Sequence, residues 1–410
     1  MKNLVILGAG TAGTMMVNHL NRKLSSKEWE ITIIDKHKTH YYQPGFLFIP
    51  FDTYKEKDVI KQKSQFIPKN VNYIETGIEI IDHEKNKVKL DNGQEIPFDI
   101  LIIATGAKIV PAEIEGLLGN GWQKDVFDFY TIEGATALRD KLKKWEGGKF
   151  VIHLSEMPIK CPVAPLEFSF LADWFFKKKG IRDKVEMTYI TPLSGAFTKQ
   201  NCSNVLGYLL DEKEIKLVPD FDVELVNENE KFIRSYDDKK VDYDLLVTIP
   251  TNMGDDVIER SGLGDDLNFV PTDKHTLQSK KQENIFVIGD ATDLPSSKAG
   301  SVAHFQAETL TKNIMNFIDG KELVKEFDGH ANCFIESGFG KAFLIDFNYD
   351  TEPVTGTFPL PGIGPFKLLK ETRLNHLGKL AFRFIYWNIL LRGLPMPGIP
   401  TQMSKAGKKL

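Results

Sequence analysis

Short, mostly apolar runs recur along the chain: Leu4-Val5-Ile6-Leu7, residues 31–34, Ile100-Leu101-Ile102-Ile103, residues 150–154 and Ile285-Phe286-Val287-Ile288. Runs this short, with little polar alternation, predict strands covered on both faces, as in parallel sheets flanked by helices. Helix-compatible stretches lie between them, at 12–24 and 165–178, and another opens at 302–308. A further strand is predicted near 244–249. Strands alternating with helices in this way predict an α/β chain.

The first run leads into Gly8-Ala9-Gly10-Thr11-Ala12-Gly13. Gly8 permits a tight turn, Gly10 lets the backbone approach a pyrophosphate, and Gly13 lets helix pack closely on strand. The N–H groups of Thr11 and Ala12, at the helix start, face the same phosphates. Asp35 ends the next strand, 22 residues beyond Gly13, where a carboxylate can accept hydrogen bonds from a ribose. Two later runs also end in small-residue turns, Ala104-Thr105-Gly106 and Gly289-Asp290-Ala291.

In this order the three segments resemble the signatures of the two-dinucleotide-binding flavoproteins, the glutathione-reductase-like superfamily. The resemblance extends to about residue 320. It implies FAD, with Asp290 at the ribityl chain, Ala104, Thr105 and Gly106 passing near the cofactor, and a helix opening near Val302 toward the flavin ring. Lys298 precedes that helix, placed either beside the flavin or on the solvated surface.

Members that use NADH carry a second glycine loop. Here the matching strand, 150–154, is followed by Ser155-Glu156-Met157-Pro158-Ile159-Lys160-Cys161-Pro162, which has no glycine. A pyridine nucleotide is therefore not expected. The chain has three cysteines, too few for a disulfide scaffold. Cys161 precedes a predicted helix, a position expected to favour the thiolate. Cys333 lies 172 residues further on, and Cys202 reads as a small buried residue.

These features resemble the sulfide:quinone oxidoreductases. That likeness implies that Cys161 and Cys333 form the sulfur site, that sulfide is oxidised there to polysulfide or sulfur, and that two electrons pass through a noncovalent FAD to a membrane quinone. The family's frequent third cysteine has no counterpart in residues 124–132, nor its histidine at 195–197. A type II NADH:quinone oxidoreductase, or a flavin redox sensor without turnover, stays open as an alternative.

Net charge is −4, which argues against nucleic acid as a partner. No metal site is expected. Charge matters more locally: residues 367–410 hold nine Lys/Arg against Glu371 alone. Within them, residues 377–391 are helix-compatible and hold more large apolar side chains than one buried face needs. Basic residues beside Trp and Tyr predict a helix lying on an anionic membrane surface. The apolar run 358–366 would help line a quinone channel, and the aromatic loop 40–46 resembles a flavin-adjacent loop of quinone-reducing relatives. Met1-Lys2-Asn3 leads straight into the first strand, so a peripheral protein on the cytoplasmic side is expected, with a homo-oligomer left open. The expected architecture is two nested Rossmann-like dinucleotide-binding domains with a C-terminal membrane-docking region. Residues 1–108 and 250–325 form the FAD domain, 109–249 the second domain without an NADH loop, and 326–410 the docking region.

Overall fold

A computed structural model describes residues 1–396 and 398–409. Pro397 and Leu410, both in the predicted docking region, lie outside the described residues.

The predicted strands lie in two five-stranded parallel sheets, joined there by four that were not predicted, Asn72–Ile74, Val126–Phe127, Val185–Ile190 and Ile215–Val218. The first has the order Ile285–Val287, Ile100–Ile103, Lys2–Leu7, Trp29–Ile34 and Asn72–Ile74. Its central strand is flanked on both sides, and Leu4, Val5, Ile6 and Leu7 are fully buried. The second has the order Val126–Phe127, Leu245–Ile249, Gly148–Leu154, Val185–Ile190 and Ile215–Val218. Both are Rossmann-like α/β cores.

In the first sheet the turns that begin at Gly8, Asp35, Ala104 and Gly289 all follow the carboxyl ends of their strands, where open α/β sheets take their ligands. Gly8 sits at φ +95°, and a Cβ there would come within 2.4 Å of the Ala104 carbonyl oxygen. Only glycine fits that turn.

The helices differ from expectation mainly at their ends. The first spans Thr11–Asn21, shorter than residues 12–24. The one after Cys161 spans Ala164–Lys179 and stops at Gly180, whose φ of +75° supplies the left-handed cap. Helix Gly300–Ile318 packs against Thr11–Asn21. In the C-terminal region an antiparallel hairpin, Ala331–Gly338 with Lys341–Phe347, carries Cys333 opposite Ile345. Helix Ala164–Lys179 packs on one side of the Cys333 strand and helix Arg373–Ile385 also lies against it. This packing, rather than closeness in sequence, brings the two cysteines into one region.

The segment predicted as a helix over 377–391 starts earlier and changes type. Thr372 accepts a hydrogen bond from the Asn375 N–H and so caps Arg373–Ile385. A π-helical turn, Tyr386–Leu390, follows. The run 358–366 is the turn of a hairpin, Thr355–Leu360 with Gly364–Leu368. No helix among the described residues is long and apolar enough to cross a membrane.

Candidate flavin and thiol site

Two adjoining cavities run along the carboxyl edge of the first sheet. Gly8, Gly10, Thr11, Asp35, Gln43 and Thr105 line both, so they form one elongated trench across the glycine loop. One end holds His37, Lys63 and Arg260. The other holds Ala12, Ala104, Gly106, Gly289, Asp290, Lys298 and Cys161.

At Gly10 an added Cβ would meet nothing within 4 Å, because that face opens into the trench. Gly13 does not line it. A Cβ at Gly13 would stand 1.9 Å from the Gly8 carbonyl oxygen, so its part is packing. Asp35 is fixed by the N–H of Ala9 at 2.7 Å and the N–H of His37 at 2.8 Å, and pairs with the buried Lys63 at 2.5 Å. Thr105 Oγ1 is buried without a partner among the described residues. An extended trench, an open glycine face, a fixed carboxylate beside the glycine loop and an orphaned hydroxyl fit a flavin dinucleotide.

Helix Gly300–Ile318 directs its start at the same space: Ala299, Gly300 and Ala303 line the cavity and no side chain caps the helix. Free N–H groups and the helix dipole there favour negative charge. Lys298 is not a surface residue. It is buried, its ammonium donating to the carbonyls of Asp290 and Thr292 at 2.9 and 2.6 Å and lying 3.8 Å above the Phe269 ring. Burial brings its pKa down to about 8, against the pull of Asp290. Burial pushes the Asp290 carboxyl up, while Lys298 and Lys160 draw it back.

Cys161 is held at the cavity wall by main chain. Its N–H donates to the Lys298 carbonyl at 2.7 Å, and Lys160 bridges to Lys298 as a short parallel pair. Cys161 has φ +47°, an uncommon conformation for a residue with a side chain. Its thiol is not poised as thiolate in the way its place before a helix suggested. The Ala164 N–H does lower its pKa, but burial and the nearby Glu167 carboxylate raise it more. Cys333 is pushed up to about 12 by burial, with Lys379 opposing. The two sulfurs are free; Cys333 adds to the cost of ionising Cys161, and Lys379 lowers the cost for both. Cys333 is not on the trench wall. Cys202 is fully buried in the helix Gln200–Glu212.

Several wall residues were not foreseen. Glu167, in the first turn of helix Ala164–Lys179, has its side chain wholly buried, and Lys379 meets its Oε1 at 2.7 Å. Burial raises the Glu167 pKa; the same burial opposes the charge on Lys379, but Glu167 and Cys161 outweigh it and keep the ammonium protonated. Tyr386 reaches the glycine loop, its hydroxyl 2.7 Å from Thr11 Oγ1 and 2.7 Å from His40 Nε2. Lys160 donates to Gln43 Oε1 at 3.2 Å. None of these lies in a motif. Lone charged or aromatic residues gave no signal until distant segments packed together. The 40–46 loop does form wall, through Gln43, Pro44 and Phe46.

The geometry accords with known proteins. Residues 2–154 match the family model "Pyridine nucleotide-disulphide oxidoreductase". A mitochondrial sulfide:quinone oxidoreductase from Dictyostelium discoideum is 29% identical over 398 residues, covering 95% of this chain and 86% of that protein. A type II NADH:quinone oxidoreductase from Staphylococcus aureus is 26% identical over 87% of this chain and 91% of its own length. The crystal structure of the sulfide:quinone oxidoreductase from Aquifex aeolicus superposes with a TM-score of 0.78 at 22% identity, over 96% of this chain and 92% of that one.

Proposed function

We propose that this chain, a homologue of the sulfide:quinone oxidoreductases over 95% of its length, oxidises sulfide and passes two electrons to a quinone. The observation that carries this reading is Cys161 on the wall of a flavin-shaped trench, with Glu167 and Lys379 beside it. A noncovalent FAD in the trench would accept electrons from sulfur and hand them to quinone. Gly8, Gly10, Thr11 and Ala12 would cradle its pyrophosphate, Asp35 its ribose and Asp290 its ribityl chain. Ala104, Thr105, Gly106 and Gly289 would shape the walls, and Lys298 and the uncapped helix would favour negative charge on the ring. The division into 1–108 with 250–325, 109–249 and 326–410 belongs to the same reading.

Cys161 and Cys333 would hold the sulfur being oxidised. A raised thiol pKa is costly for a nucleophile, and the Lys379 ammonium is the group placed to offset it. Glu167, raised by burial, can take the proton the thiol gives up. The second sheet offers no glycine loop for NADH, since Lys160 and Cys161 occupy that turn and are tied to Lys298.

Docking would use the C-terminal helix. Leu374, Leu377 and Phe384 recur along one face of Arg373–Ile385 and are exposed, and Ile363 at the hairpin tip is 78% exposed. Lys367, Lys370 and Arg373 flank them. Such a surface suits the headgroup layer of an anionic membrane.

The test is anaerobic addition of sulfide, then separately NADH, to the flavin-loaded protein. Sulfide is expected to bleach the flavin absorbance, NADH to leave it, and a quinone to restore it. Cys161→Ser is expected to abolish bleaching by sulfide. Bleaching by NADH alone would replace this reading with the NADH:quinone one.

A further inference from the structure

Oxidation of hydrosulfide by a quinone consumes a proton. HS⁻ loses two electrons to give sulfur and H⁺; the quinone gains two electrons and two protons. One proton per turnover must therefore come from water. The cavity wall where it is needed is little exposed: the Glu167 side chain is fully buried and that of Lys379 is 11% exposed.

A line of titratable groups leads out from that wall. Glu167 Oε2 is buried and has no partner among the described residues, while its Oε1 takes the Lys379 ammonium at 2.7 Å and the Glu336 N–H at 2.8 Å. The Glu336 side chain is only 1% exposed, and both its oxygens lie 2.9 Å from His376 Nδ1. The His376 ring is 24% exposed, the most of any member of this line. His376 and Lys379 stand three apart on the same helix, so they share a face.

We infer that His376 and Glu336 form the proton entrance for quinone reduction, delivering a proton from water through the Lys379–Glu167 pair to the trench. The inference rests on the sulfide:quinone reading. An isolated buried glutamate would be costly, and the histidine offers it a proton donor open to solvent. The hydrogen bond that His376 donates to the Glu336 carboxylate raises the His376 pKa above that of an ordinary histidine. The other charged groups facing this helix are otherwise engaged. Lys341 pairs with Glu371 at 2.9 Å, Asp346 with His330 at 2.7 Å, and Arg383 covers the Tyr54 ring. Passage from Glu336 to Glu167 uses the ammonium of Lys379, which lies in the field of both carboxylates.

The experiment separates the two halves of turnover by rapid mixing, in detergent with a short-chain quinone. In His376→Phe and Glu336→Gln, flavin reduction by sulfide is expected at the wild-type rate. Reoxidation by quinone is expected to slow about tenfold or more, most at alkaline pH, and to recover with added imidazole. In NMR titration without any substrate, His376 should titrate above an ordinary histidine, and Glu336→Gln should return it toward the ordinary value. Wild-type reoxidation rates in both variants, or slow rates that imidazole does not restore, would overturn the relay. So would a His376 titration indifferent to Glu336. Failure of sulfide to reduce the wild-type flavin would instead remove the underlying function, and the relay with it.

Discussion

Gly10 and Gly13 stand three residues apart in one loop and answer to different constraints. A methyl group at Gly13 would collide with main chain at 1.9 Å, with no flexible side chain to give way. Gly13→Ala is therefore expected to destabilise the protein by about 1–3 kcal/mol or more, as overpacking does, lowering the melting temperature with and without flavin. At Gly10 the methyl meets no protein atom. Gly10→Ala is expected to leave the melting temperature of the apoprotein unchanged and to reduce the flavin-to-protein absorbance ratio. Identical loss of stability in the two variants would contradict the assignment. The glycines, Asp35 and Asp290 were legible in the sequence because each is tied to a strand end by a fixed offset. Lys298 was legible as a position but not as a buried one. Glu167 and Lys379 were not legible, since their meaning comes from a contact between residues 212 apart.

The C-terminal helix shows where periodicity misleads. Its apolar residues exceed one face because they serve two ends differently. Leu374, Leu377 and Phe384 face outward, whereas Tyr386, Trp387, Leu390 and Leu391 are buried beyond the point where the α-helix becomes a π-turn. The turn rotates Tyr386 toward Thr11 and His40 and lets Trp387 stack on Phe66 at 5.3 Å. A pattern read with one period cannot register that change. For the docking role, Leu377→Glu and Phe384→Glu are each expected to weaken binding to anionic vesicles about tenfold or more, from roughly 1.5–3 kcal/mol of lost apolar burial. Flotation measures the binding, and turnover with a water-soluble quinone should persist. Undiminished flotation of both variants would show that another surface docks.

Across the molecule, four histidines are held neutral by burial. His40 and His153 are lowered to about 3, and His19 and His304 to about 4. Unfolding restores each to an ordinary histidine near 6.5, so below that pH the unfolded chain binds protons that the folded chain refuses. The stability they permit is complete above about pH 6.5 and falls as pH drops toward 4. The urea midpoint is expected to decline steadily between about pH 7 and 5, and less steeply in His153→Gln. A flat midpoint over that range would mean these rings are protonated in the folded protein. Four strands of the first parallel sheet and two of the second were legible as apolar runs, whereas Asn72–Ile74, Val126–Phe127, Val185–Ile190 and Ile215–Val218 were not. The way the C-terminal hairpin inserts Cys333 between two helices was not, because nothing local in the sequence encodes it.

The bond from the Cys161 N–H to the Lys298 carbonyl joins the two sheets' loops through atoms that every residue but proline possesses. Where the sulfur stands is thus inherited from the path of the chain, and what surrounds it is set by side chains that can be exchanged one at a time. A lineage could alter residues 156–160, and with them the preferred donor, without moving the thiol. Divergence of chemistry and persistence of architecture would then be separable histories within a single turn.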